Sequence, residues 1–175
     1  MTEADGPPRA ALIAALVLAL AAVGVVLAVA ATHRTPQQPV ALAAVPAPHA
    51  ADPSCHTLLD ALPPQLGDYR RAELAPPAPE GAAAWRPDGD GEPVVLRCGL
   101  DRPADFTASA PIQVVNAVQW FRVGVEDRTT WYAVDRPVYV ALTLPPGSGP
   151  TPIQQLSDLI AATLAAVPIN PAPVG

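Results

Sequence analysis

The chain has 175 residues, half of them hydrophobic, and a formal net charge of −6. Its ten basic residues are all arginine and form no run, which argues against a nucleic-acid surface and against a polybasic grip on anionic lipid. Apart from one apolar N-terminal stretch, the length suits a single domain with one hydrophobic core.

Residues 1–9 form a short tail carrying Glu3, Asp5 and Arg9. Residues 10–32 then read AALIAALVLALAAVGVVLAVAAT, with no charge and no proline. A helix rises about 1.5 Å per residue, so this run crosses a hydrocarbon core of roughly 30 Å. It also satisfies its own backbone hydrogen bonds, which lipid cannot do. The expectation is one transmembrane helix over 10–32, with a cytoplasmic tail before it and an extracytoplasmic domain after it. Arg9 and Arg34 flank opposite ends, so the orientation rests on the cysteines rather than on flanking charge. A cleaved signal peptide, releasing a secreted domain, is the competing reading. Ala28-Val29-Ala30 has the small-x-small form of a cleavage site, but the run is longer than the usual apolar region of about 7–15 residues.

Residues 33–53 are rich in proline and alanine and have no sustained period, which reads as a semi-extended linker. The domain is expected over 54–168, with a tail at 169–175. Asp52 or Ser54 can cap a first helix that places Leu58, Leu59 and Leu62 on one face and stops at Pro63-Pro64. Strands are predicted over 69–74, 82–85 and 93–99, the last with Val94, Leu96 and Cys98 on one face. The longest strand candidate is 114–125, bent or broken near Ala117. It is followed by an acidic turn at Glu126-Asp127-Arg128 and a partner strand at 129–133. Val138, Val140, Leu142 and Leu144 give the clearest period of two. Thr151-Pro152-Ile153-Gln154 reads as a capping box that opens a last helix. Its stripe is Ile153, Leu156, Leu159, Ile160, Leu164 and Val167, and Pro168 is its expected stop. The order predicts an α+β fold, an antiparallel β-sheet covered on one face by an N-terminal and a C-terminal helix, preceded by the transmembrane helix.

Cys55 and Cys98 fit neither a zinc site nor a C-x-x-C redox motif. In an oxidising space they form a disulfide from the first helix to the sheet, and closing that loop is worth about 4 kcal/mol in the chain-entropy model. Two buried thiols in a reducing compartment are the alternative.

Several landmarks stand together: Cys55 with Leu58 and Leu59, Leu62-Pro63, the Ala-Ala-Ala-Trp stretch ending at Trp85, and Val95-Leu96-Arg97-Cys98-Gly99. Val118-Gln119-Trp120, Thr130-Trp131-Tyr132 and Arg136-Pro137-Val138-Tyr139-Val140 follow. Across residues 54–167 and the apolar run, this set resembles a family of actinobacterial membrane-anchored proteins known as a domain of unknown function. Where that family carries a glycine after the Thr-x-Tyr strand, this chain has Ala133-Val134. The resemblance implies a location and a shared fold, and it supplies no catalytic residues.

A search for chemistry yields little. Asp88-Gly89-Asp90-Gly91-Glu92 lacks the spacing of a calcium loop and reads as a hairpin turn. Glu126 and Asp127 are adjacent, poor geometry for an acid–base pair. His33, His49 and His56 show no metal-ligand spacing. Ser148 lacks the G-x-S-x-G elbow, and no histidine follows His56. The Arg70-Arg71 pair suits either an anionic headgroup or polymer, or a surface pair near acids. Trp85, Trp120 and Trp131 belong either to the core or, with Arg97, to a binding surface. No catalytic, cofactor or metal residues are assigned. The expected function is a non-enzymatic binding module at the cell envelope, with the helix-free sheet face as its surface and a protein or envelope component as partner. The alternative is an accessory subunit of a membrane complex.

Overall fold

The computed structural model describes residues 9–32, 38–125 and 127–173. The expected tail up to residue 8, linker residues 33–37, the turn residue Glu126 and tail residues 174–175 lie outside the described residues. The chain divides into two units, Met1–Pro36 and Gln37–Gly175.

The first unit contains helix α1, Arg9–Thr32. Its large apolar side chains are exposed on every side, Leu18 at 71%. A helix at the surface of a soluble domain shows one apolar stripe, whereas this one has no polar face. Its length and composition suit a membrane span or a signal sequence.

The second unit is built on one antiparallel sheet. Helix α2 (Pro53–Ala61) precedes β1 (Gln65–Leu66), β2 (Tyr69–Ala72), β3 (Ala82–Pro87) and β4 (Val94–Leu100). Then come β5 (Ile112–Val115), β6 (Val118–Val125), β7 (Arg128–Ala133), β8 (Tyr139–Leu144) and helix α3 (Thr151–Thr163). The eight strands run in the order β1-β2-β3-β4-β8-β7-β6-β5. Two meanders therefore meet where β8 pairs with β4. Helices α2 and α3 touch each other, and both pack on the same face of the sheet. The expected α+β layer is the fold observed.

Strand alternation decides which side chains meet the helices. Ala83 and Trp85, then Val94, Leu96 and Cys98, then Val140, Leu142 and Leu144 all enter this core. Val118 and Trp120 join them from β6, with Leu58 from α2 and Ile153, Leu156 and Ile160 from α3. Full burial of each large aliphatic contributes about 1.5–3 kcal/mol. Cys55 and Cys98 are bonded at the centre of this layer with their Cα atoms 5.7 Å apart, and neither is exposed.

Three expectations are corrected or sharpened. The strand predicted over 114–125 breaks near Ala117 as expected, but the break is a full reversal at Asn116, with φ at 52°, that makes a hairpin of β5 and β6. Asparagine is one of the few residues that visits the left-handed region readily. The capping box does not form, since Pro150 is the N-cap and donates no side-chain cap. Helix α3 ends at Thr163 rather than at Pro168, and extended Leu164 still reaches the core.

The linker and the tail are also not free. Residues 40–50 form a strap over the sheet's second face: Val40 bridges Leu74 in parallel, with its N–H donating to the Glu73 carbonyl at 2.8 Å. The Ala75 N–H returns to the Val40 carbonyl at 2.9 Å. At the far end the His49 N–H donates to the Gly99 carbonyl at 3.0 Å. Gly99 lies at φ +83°, and a Cβ there would come within 2.3 Å of the His49 and Ala50 backbone. Glycine is thus required twice over, by backbone angle and by close approach. In the tail, Ala172 exchanges backbone bonds with Phe106 and Ala108, both at 2.8 Å. Each stretch seats only one or a few apolar side chains and is held by main-chain bonds, so neither shows a period.

Candidate functional site

The sheet face away from the helices is covered at its two ends and open between them. Val40, Leu42 and Leu74 pack on Ala72 and Ala84 at one end. At the other end Phe106, Ala110 and Ile169 pack on Phe121, Val123, Tyr132 and Tyr139. The Phe106 and Phe121 rings sit 5.4 Å apart there, in a tilted pair.

Between the covers, the register brings polar side chains to this face. Arg70 stands opposite Arg86, Val95 opposite Thr143, and Thr143 opposite Thr130. The two threonine hydroxyls are hydrogen-bonded at 3.0 Å. A cleft of about 640 Å³ opens at the strand ends, lined by Pro87, Glu92, Asp127, Arg128, Thr130 and Thr143 among others. A second cavity of about 320 Å³ shares Arg128, Thr143 and Pro145 with the cleft and runs beside Pro39, Leu42 and Arg86. The acidic β3–β4 turn supplies counter-charges: Asp88 pairs with Arg70, and Glu92 takes Arg128 through two bonds of 2.5 and 3.2 Å. That turn is therefore a charge clamp on the strand ends as well as a hairpin connection.

Arg97 lies on this same face, as the alternation from Cys98 requires. Its Nη2 donates to the Ala43 carbonyl at 2.7 Å and fixes the strap. Burial pulls the Arg97 guanidinium below its ordinary value, with Tyr132 acting the other way. Burial likewise raises the Tyr132 phenol, partly offset by Arg97.

The tryptophans do not join Arg97 in a surface. Trp85 pairs with Val94, Trp120 with Ala133 and Trp131 with Leu142, so all three stand on the helix-covered face. Trp85 and Trp120 are fully buried. The Trp85 indole donates to the Pro63 carbonyl and the Trp120 indole to Ser157 Oγ, both at 3.0 Å. Trp131 is half-buried, with the Arg122 guanidinium 5.9 Å from its ring centre. Of the doublet Arg70-Arg71, Arg70 joins the open face while Arg71 lies over the Trp85 ring at 4.9 Å.

Sequence reasoning missed Asp135 and Arg136, which are 4% and 6% exposed. Arg136 Nη1 approaches Asp135 Oδ2 at 3.0 Å, and its Nη2 donates to the Ala117 carbonyl at 2.7 Å. Asp135 Oδ2 also accepts the Gln119 N–H at 3.1 Å, and its carbonyl accepts the Val167 N–H at 2.9 Å. The pair ties the β5–β6 turn, the β7–β8 connection and the chain beyond α3 into one knot. Among the described residues, no three of His, Cys, Asp and Glu converge as a metal site would require.

Fold and site together define a disulfide-linked α+β domain with a polar cleft at one end of its sheet, preceded by an apolar helix. The chain belongs to the family described as Protein of unknown function (DUF3515), which matches residues 16–169. No curated protein and no solved structure matches it. The motif residues of that resemblance now have physical roles. Cys98 holds the disulfide, Gly99 admits the strap, Trp85 ties the chain just past α2 to the sheet, and Trp120 ties the middle of α3 to it.

Proposed function

We propose that this chain is a single-pass membrane protein whose folded unit lies on the extracytoplasmic side. It acts there as a non-enzymatic module that binds a partner at the cell envelope through the open, helix-free face. The observation that carries the reading is the Cys55–Cys98 bond, buried between α2 and β4. Structural disulfides persist in oxidising spaces and are rare where thiols are kept reduced. An apolar N-terminal helix without a polar face supports the anchor. The binding surface is assigned to the helix-free face because the other face is filled by α2, α3 and the tryptophans.

Thiol labelling of the full chain in intact cells tests the topology. Both cysteines should resist a maleimide tag until reductant is added, and external protease should remove a C-terminal epitope. Free thiols, with an epitope protected until lysis, would reverse the assignment. A photo-crosslinking residue at Thr143 tests the surface. Adducts should form from Thr143 and not from Asp60 on α2; the opposite pattern would move the surface to the helices.

A further inference from the structure

We infer that the helix-free face holds an oxyanion, a phosphate or carboxylate group, at Arg70 and Arg86 beside the cavity bordered by Pro39 and Leu42. This rests on the binding role proposed above for that face. Arg70 and Arg86 stand directly opposite each other on β2 and β3. Such residues have Cβ atoms about 4.5–5.5 Å apart, and like charges placed so repel. Among the described residues only one acid answers the two cations, since Asp88 pairs with Arg70. No hydrogen bond or ion pair joins the Arg86 side chain to any described residue. The Nε atoms of both arginines are buried and have no acceptor.

A guanidinium has five donors in a planar fork that matches an oxyanion, and a buried donor without an acceptor carries a desolvation cost. An anion at the Arg70–Arg86 pair supplies the missing acceptors and removes the repulsion together. The surroundings fit this use. The cavity lined by Arg86 also holds Arg128, whose charge Glu92 fixes in place, and Thr143 as a further polar wall. The domain is otherwise acidic, with 13 acids against eight arginines from Ser54 onward, so the uncompensated cation is a local feature.

The test uses the full chain in neutral detergent micelles and follows the arginine Nε–H resonances by NMR. Inorganic phosphate, at ionic strength matched with chloride, should shift the Arg70 and Arg86 signals saturably. Arg86→Gln should weaken the apparent affinity by about tenfold or more, with Arg86→Lys between the two. Phosphate should raise the melting temperature of the native chain and not that of Arg86→Gln. Without phosphate, Arg86→Gln should melt at or above the native chain, because it relieves a like-charge pair. Titrations with acetate and with phosphatidylglycerol mixed into the micelles assign the source. A response to the lipid alone marks a headgroup, and a response to free phosphate or acetate marks a soluble ligand. No response to any of the three, or an equal response to chloride, overturns the proposal. So does an Arg86→Gln variant that melts well below the native chain, which would make Arg86 a structural cation. A cytoplasmic topology would remove the envelope role and leave these titrations unchanged, so the two failures are distinguishable.

Discussion

Replacing Asp135 by alanine leaves Arg136 charged and buried without its carboxylate. The Gln119 N–H loses its acceptor at the same time. Removing one partner of a buried ion pair costs about 3–5 kcal/mol, because the other charge stays desolvated. Domains of this size are stable by about 5–15 kcal/mol, so the variant forfeits a large part of the total. At about 2–4 °C per kcal/mol, the melting temperature should fall by about 6–20 °C. The double variant Asp135→Leu with Arg136→Met removes both charges. It still orphans the Gln119 N–H and the Ala117 carbonyl, so its cost should be about 1–3 kcal/mol, below that of Asp135→Ala alone. Urea unfolding of the full chain in neutral micelles, followed by tryptophan fluorescence, measures both, since Trp120 is buried beside Gln119. If the double variant lost as much as the two single variants added together, the charges would not be coupled and the reasoning would fail.

Three further outcomes follow from the same structure. Ser157→Ala strands the buried Trp120 indole N–H, and should cost about 1–3 kcal/mol in urea unfolding, while the added change Trp120→Phe should give no further loss of hydrogen-bond origin. Gly99→Ala forces a left-handed φ on alanine and pushes a Cβ into the His49–Ala50 backbone, so hydrogen exchange at the His49 amide should accelerate before the sheet is affected. All three tyrosines have phenols raised by burial, with Asp68 adding to Tyr69, and Arg97 and Arg102 opposing at Tyr132 and Tyr139. Their folded values lie above the ordinary 10.0, so the unfolded chain ionises first, and the stability present below pH 10 should be lost as pH rises beyond it. Phenolate absorbance with a midpoint at or below the ordinary value would contradict this.

Much of the sheet was legible because alternation is a direct image of a half-buried strand. Val138, Val140, Leu142 and Leu144 read as one face, and all four are buried in one core. The pairing of Cys55 with Cys98 followed from composition and compartment rather than from pattern. A break near Ala117 was legible, but its being a full reversal was not, because Val115 and Val118 continue an apolar run on both sides of a two-residue turn. The strap was hidden because its attachment is main-chain and its sequence is low in information. Trp85, Trp120 and Trp131 showed that tryptophan composition cannot separate core from surface; the strand register does that. The facing arginines were illegible for the same reason. Arg70 and Arg86 are 16 positions apart, and only the β2–β3 register sets them opposite each other.

The strap has a mechanical consequence. Tension applied to the chain ahead of Val40 reaches the sheet first at the Val40–Leu74 bridge, then at the Arg97 contact with Ala43, then at the His49 contact with Gly99. These are noncovalent fasteners arranged in series, and they peel one after another. Behind them stands the sulfur–sulfur bond from Cys55 to the middle of the sheet. A pull strong enough to lift the strap off its end of the second face would be handed on, at that bond, to β4 in the middle of the sheet.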